Sequence, residues 1–391
     1  MTGVERSIDI DELWRVAARK LRVPTEPPQD LYLEGLRCLA SALGSKDRYN
    51  ADALRLLRRE LLSRILNELK FSGDISNYPG LVDVTVHRPL LIAGFGRTGS
   101  TFIHNLLALD PNARVPLLWE LWNPSPPPRP ETWASDPRIE IAERRLDAFT
   151  RADPSIREIH PMAAGAPDEC HWMMRHSPLI PMLYQAPEYW VWLKQLSDGE
   201  LSELYWHYRL QVQYLQLFCR REYWVSKATT HLHFSPVLFK VFPDARIVRL
   251  HRDPCHAVPS LCSLVAGYRR LFSRRVDCRE IGGTLLDMFI NHMERSMTAT
   301  AGKADQIIDI RFEDLVADPI GTVQRIYTQL GYPYSVPFEQ KMIRYLNKER
   351  AAAKPRHAYT LEQFHLSREM VMERSAEYLS WARRRCGELV Q

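Results

Sequence analysis

The stretch LLIAGFGRTGSTFIHNLL, Leu90 to Leu107, decides how the rest of the chain is read. Leu90 to Ala93 form an apolar run with the character of a buried strand. A glycine turn follows, and Phe102, Ile103, Leu106 and Leu107 then recur at helical spacing. Strand, tight loop and helix N-terminus in that order make an anion site, because the loop amides and the positive end of the helix dipole point at the same place. The run therefore predicts a phosphate-bearing ligand.

Working outward, three further strand-to-helix units follow. EYWVSKA leads into SPVLFKVF, ARIVRLHR into DPCHAVPSLCSLV, and QIIDIRFEDL into DPIGTVQRIYTQLG. Asp253 and Asp318 read as N-caps, with Pro254 and Pro319 at the first helical position and Gly331 closing the last helix. Repeated alternation of this kind predicts an α/β fold: a P-loop-like parallel sheet flanked by helices. Residues 1–85 read as an N-terminal helical extension, with Asn50 as the N-cap of ADALRLLRRELLSRILNELK, and residues 86–391 as the main domain. A proline-rich loop runs from Asn123 to Pro137, and a helical insertion rich in Trp and Tyr spans about 138–220.

A chain of 391 residues can bury one large core. Its 45% apolar and 25% charged residues are ordinary for a globular protein, and a net charge of +5 is too small to argue for nucleic acid. Seven cysteines, an odd number without a CxxC pair, favour free thiols in a reducing compartment. The N-terminus lacks a basic start followed by an apolar core, and no apolar run approaches the ~18 residues of a membrane span, so a cytoplasmic location is expected. His171/His176 and His231/His233 lack partners at zinc spacing, and no metal is expected.

The glycine loop matches two well-known patterns in part. Read as GxxxxGK[ST], it supplies Gly94, Gly99 and Thr101, but Ser100 stands where an ATP or GTP enzyme carries its phosphate-binding lysine. Read as GxGxxG, it supplies Gly94, Gly96 and Gly99, with Glu120 at the distance of a ribose contact, yet Glu120 lies beside prolines and not at the end of a second strand.

A third pattern takes in more of the chain. GFGRTGST followed by a helix resembles the 5′-phosphosulfate loop of sulfotransferases that use 3′-phosphoadenosine-5′-phosphosulfate (PAPS). RLHRDPCHAVPS resembles their 3′-phosphate clamp, a basic residue at a strand end with a serine eight positions on: Arg252 and Ser260. The segments around VSKATTHLHFSPVLFKVFPDA, IRFEDLVADPIGTVQRIYTQLGYP and KPRHAYTLEQFHLS fit the same family, so the likeness covers about residues 88–370. It is nearest the bacterial branch related to tyrosylprotein and carbohydrate enzymes. A divergent phosphotransferase using ATP, or a catalytically silent nucleotide-binding protein, stands as the alternative.

The resemblance implies roles residue by residue. Arg97, Thr98, Gly99, Ser100, Thr101 and Phe102 would cradle the 5′-phosphosulfate, and Arg97 would also act in catalysis. Lys227 would assist departure of the bridging oxygen, and Glu120 would be the general base, with His104, His171 and His231 as rivals. Asp168 and Glu169 are candidates for the acceptor pocket. Lys354 and Arg356 would close over the donor, leaving PAP, adenosine-3′,5′-bisphosphate, as product. Phe312 stands where relatives often have a tyrosine, and Pro259 lies inside the helix that carries Ser260. Between the first helix and Lys227 the chain has many aromatics and few lysines, which predicts a hydrophobic alcohol, phenol or lipid-like molecule as the small acceptor.

Overall fold

The structure is a computed structural model that describes residues 8–44, 49, 51–152, 161–273, 275–351, 359–387 and 389. Five parallel strands form its sheet: β1 (Leu90–Gly94), β2 (Ala113–Arg114), β3 (Tyr223–Lys227), β4 (Arg246–His251) and β5 (Ile307–Arg311). Their spatial order is β2-β3-β1-β4-β5. Central β1 pairs on one side with β3, Leu90 opposite Val225, and on the other with β4, Leu90 opposite Arg246.

All five residues of β1 are buried because helices cover both faces, which is why the strand reads as a continuous apolar run. Alternate residues serve opposite faces. Leu90 and Ile92 pack with Ile103, Leu106, Val323 and Ile326 from the helices Ser100–Leu107 and Pro319–Leu330. Leu91 and Ala93 belong to a larger core that takes in the helices Asp198–Gln216, Pro254–Phe272 and Cys278–Ala299. Asp253 caps its helix by accepting the Cys255 N–H at 2.7 Å, Asp318 accepts that of Gly321 at 2.9 Å, and Gly331 closes its helix at φ 71°. Pro259 is accommodated inside an unbroken helix, where it forgoes one intrahelical hydrogen bond.

The N-terminal helices Ile10–Leu21, Leu31–Gly44 and Ala51–Asn77 pack into that same larger core. Leu31–Gly44 lies on Pro187–Gln195 so closely that a Cβ on Gly35 would stand 2.5 Å from the Trp192 ring. The Asn67 side-chain amide donates to the Trp122 carbonyl at 2.8 Å. Asn50, expected as an N-cap, lies outside the described residues. All seven cysteines are free thiols, and among the described residues no helix is long and apolar enough to cross a membrane.

Strand order reverses about β1: the chain leaves it for β2 and β3 on one side, then crosses to β4 and β5 on the other. In open parallel sheets the crevice beyond the carboxyl ends at such a point is where ligands bind. Gly94, Lys227 and His251 end the three central strands there.

Candidate active site

The loop after β1 is built by close approach. A Cβ on Gly94 would come within 2.8 Å of Thr98 Oγ1, and one on Gly96 within 2.8 Å of Leu261, so the turn admits no side chain at either position. Thr98 donates its hydroxyl to the Phe95 carbonyl at 2.8 Å, which ties the loop across its base. Gly99, at φ 87°, is the N-cap of Ser100–Leu107, and Arg97 itself takes φ 71°, a conformation that costs a non-glycine residue energy. These turns aim the first amides of the helix at one spot, the geometry of an anion cradle.

Arg97, Ser260 and Arg252 are brought together. Arg97 Nε donates to Ser260 Oγ at 3.2 Å, and Arg252 Nη1 donates to the Arg97 carbonyl at 2.8 Å. The Arg252 guanidinium also lies 4.3 Å from the centre of the Phe312 ring, a cation–π contact that fixes its direction. Phe102 is half-buried on the loop helix and packs against the sheet core. Lys354 and Arg356 lie outside the described residues.

The lysine that the loop lacks at Ser100 has a counterpart on the neighbouring strand. Lys227, at the end of β3, places Nζ 3.3 Å from Thr101 Oγ1 and donates to Glu169 Oε1 at 2.7 Å. Burial would raise the Glu169 pKa, but the Lys227 charge and the nearby His171 outweigh it and hold the carboxyl well below the usual range. Its other oxygen, Oε2, has no hydrogen-bond partner and stands 3.7 Å from His171 Nδ1. His104, on the loop helix, is fully buried; burial first and the Lys227 charge second push it down to about 3, so it is neutral at ordinary pH.

A cavity of about 1090 Å³, its open mouth included, extends from the loop. Gly96, Arg97, Ser100 and Thr101 form its phosphate-loop end, with Glu169 and His171 beside them. Trp122, Phe149, Met162, Leu183, Leu264 and Tyr268 are among the apolar and aromatic residues of the remaining wall.

Two expected bases are placed elsewhere. Glu120 is fully buried and does not line this cavity. Arg114 grips it bidentately at 2.6 and 3.1 Å, and the Leu117 N–H donates to Oε2 at 2.8 Å. The Trp133 ring lies 4.5 Å from the Arg114 guanidinium, completing a buried structural pair. Both oxygens of Glu120, expected as general base, are thus held by Arg114 and the Leu117 amide, outside the lining of this cavity. His231 is likewise engaged, with Tyr205 Oη at 2.8 Å and Cys170 Sγ at 3.3 Å. Glu169, expected at the acceptor pocket, lines the cavity and is paired with Lys227.

The fold and this cradle define a P-loop-like α/β protein whose lysine comes from a neighbouring strand. The chain belongs to the sulfotransferase family, whose sequence model matches residues 89–336. It is 28% identical over 258 residues to the omega-hydroxy-beta-dihydromenaquinone-9 sulfotransferase Stf3 of Mycobacterium bovis and to that of Mycobacterium tuberculosis. In each case the chain spans 62% of the relative's length and 62% of its own. The crystal structure of sulfotransferase STF1 from Mycobacterium tuberculosis H37Rv superposes with a TM-score of 0.84 at 28% identity, covering 95% of this chain and all of that one. Sulfotransferase STF9 from Mycobacterium avium shares the fold at a TM-score of 0.86 and 24% identity, covering 97% of this chain and 98% of that one.

Proposed function

We propose that this protein transfers a sulfuryl group from PAPS to the hydroxyl of a small apolar acceptor. One observation carries the reading: a single cavity joins the phosphate loop and Glu169, itself paired with Lys227, to an apolar, aromatic chamber. A phosphate loop opening on such a chamber suits a reaction between a nucleotide and a hydrophobic molecule. Stf3 is named for a hydroxylated dihydromenaquinone, an acceptor of this chemical kind.

In this reading the donor supplies an SO3 group that carries less negative charge than a phosphoryl group in transfer. Loop amides, hydroxyls and basic side chains can then stabilise the developing charge without a metal. The amides of Arg97 to Phe102 bind the 5′-phosphosulfate, and Arg97 and Thr101 face it. Lys227 donates to the oxygen that becomes the leaving group. Arg252 and Ser260, linked through Arg97, bind the 3′-phosphate by charge-assisted hydrogen bonds. No nucleic-acid partner is assigned, and free thiols throughout fit a cytoplasmic location.

PAP binding in the presence of EDTA tests the reading. Arg252→Ala should weaken PAP much more than an analogue lacking the 3′-phosphate, measured by calorimetry. A strict magnesium requirement with preference for ATP, or equal losses for both ligands, would revive the phosphotransferase alternative.

A further inference from the structure

One polar side chain of the cavity wall takes no part in the phosphate-loop end. His292, on the helix Cys278–Ala299, lines the cavity and is only 1% exposed. Neither of its ring nitrogens has a hydrogen-bond partner. Burial first and the Arg295 charge second push its pKa down to about 3, so the ring is neutral, with one N–H to give and one lone pair to fill. A buried polar group left unpaired in this way destabilises a fold. Its surroundings are nonetheless fixed. Trp190 stands edge-on to the ring, 5.8 Å between centres, and its own indole N–H donates to Asp287 Oδ2 at 3.0 Å. Phe289, three residues earlier on the same helix, packs edge-on against Phe95 of the cavity wall at 5.1 Å.

His292 stands apart from the reacting end. The charges that act on it are those of Arg295 and Asp287, whereas His104 feels Lys227 and Glu169, and His231 feels Glu169. Among the described residues, the other unpartnered polar groups of the wall belong together: Glu169 Oε2 lies 3.7 Å from His171 Nδ1, His171 packs on Trp172, and Trp172 meets the Trp122 indole edge-on at 5.6 Å. His233 lies 5.7 Å from His292, centre to centre, but does not line the cavity.

Resting on the reading above, we propose that His292 binds a second, neutral oxygen of the acceptor, a carbonyl or hydroxyl carried on the apolar skeleton away from the hydroxyl that is sulfated. A turn about the His292 Cβ–Cγ bond points a nitrogen into the cavity. The N–H then donates to a carbonyl, or the bare nitrogen accepts from a hydroxyl. Apolar walls alone discriminate weakly between skeletons, whereas a buried polar group that gains its partner only from the ligand discriminates strongly. His292 thereby selects oxygenated molecules over plain alcohols and fixes which end of a bifunctional acceptor faces Lys227.

The test uses the full chain and three flexible acceptors of one length: decan-1-ol, decane-1,10-diol and 10-hydroxydecan-2-one. Their affinities are measured by calorimetry with and without PAP for wild type, His292→Leu, His292→Phe and His292→Gln, and sulfation is followed with radiolabelled PAPS. The affinity ratio of the hydroxyketone to decan-1-ol should be roughly tenfold higher in wild type than in the Leu and Phe variants. Decan-1-ol itself should bind those two as well as wild type, and His292→Gln, which keeps a donor and an acceptor, should retain part of the ratio. Without acceptor, the Leu and Phe variants should melt at or above the wild-type temperature, because an unpaired buried group has been removed. An unchanged ratio, or equal losses for the hydroxyketone and decan-1-ol, overturns the proposal and leaves His292 a packing residue. Melting of both apolar variants well below wild type also overturns it, since the nitrogens would then be paired in the free protein. If no sulfate ester forms from any of the three, the transfer reading fails, and the calorimetric ratios still decide the role of His292. Binding of none of them to wild type overturns both.

Discussion

Glu120 and Glu169 are both acidic residues named for the reaction centre, and their surroundings set them apart. Around Glu120, Arg114 uses both terminal nitrogens, and its remaining hydrogen bonds go to the Val115 and Leu215 carbonyls. Removing one member of such a pair leaves a buried charge uncompensated, which typically costs about 3–5 kcal/mol. Glu120→Gln should therefore lower the urea midpoint and melting temperature substantially, while the PAP affinity of the protein that remains folded stays near wild type. A variant with unaltered stability and lost turnover would return Glu120 to the reaction centre. Neither residue announces its role locally: sequence position favours Glu120, and only the fold brings Glu169 to Lys227, 58 residues away.

At the scale of elements, the long helix Ala51–Asn77 is joined to the aromatic insertion by a buried ionic cluster. Glu68 accepts from Arg175 Nη2 at 2.6 Å and stands 3.2 Å from His207 Nε2. Burial pushes the Glu68 pKa up, but the charges and hydrogen bonds of His207 and Arg175 prevail and bring it down to about 2. A carboxylate whose folded pKa lies below its unfolded value, about 4.3, stabilises the protein fully above that pH. The contribution is lost as pH falls from about 4.3 to about 2. Urea midpoints measured across this window should fall steeply for wild type and less steeply for Glu68→Gln, which starts lower at neutral pH. Parallel slopes for the two proteins would remove Glu68 from the acid transition. These elements were legible one by one, since Ala51–Asn77 carries leucines at helical spacing. The cluster was not, because ion pairs between distant helices leave no periodic trace.

For the whole molecule, the large core runs without a break from Leu13 in the first helix to Ala382 in the last. A fragment beginning at residue 86 would lose Leu33, Leu36, Leu39, Leu57, Leu61 and Ile65, all almost completely buried in the intact chain, and would uncover the faces of Pro187–Gln195 and Pro254–Phe272 on which the N-terminal helices pack. At roughly 1.5–3 kcal/mol for each large apolar side chain whose burial is lost, the loss is comparable to the 5–15 kcal/mol stability of a typical domain. Expressed alone, residues 86–391 should be insoluble or show no cooperative melting transition; a sharp transition near that of the full chain would show that the N-terminal helices are dispensable.

Four of the five strands, the parallel sheet and the helix caps at Asp253 and Asp318 could be read directly, because buried parallel strands are apolar runs and caps are local chemistry. β2, only two residues long, falls below the length at which any pattern exists. The cradle was legible through its glycines. The burial of Glu120 against Arg114, and the pairing of Lys227 with Glu169, belong to tertiary geometry that no local pattern records.

The position of β1 also governs how the chain comes to be made. Its five buried residues wait for partners on β3 and β4, both well over a hundred residues further along. During synthesis from the N-terminus, the strand emerges long before either neighbour exists. Its apolar face and both hydrogen-bonding edges stay open until His251 has left the ribosome. Contacts this distant in sequence form slowly, and open strand edges invite pairing with other chains. The central strand that sets the phosphate loop in place is thus also the segment most dependent on a holding chaperone while the chain is being made.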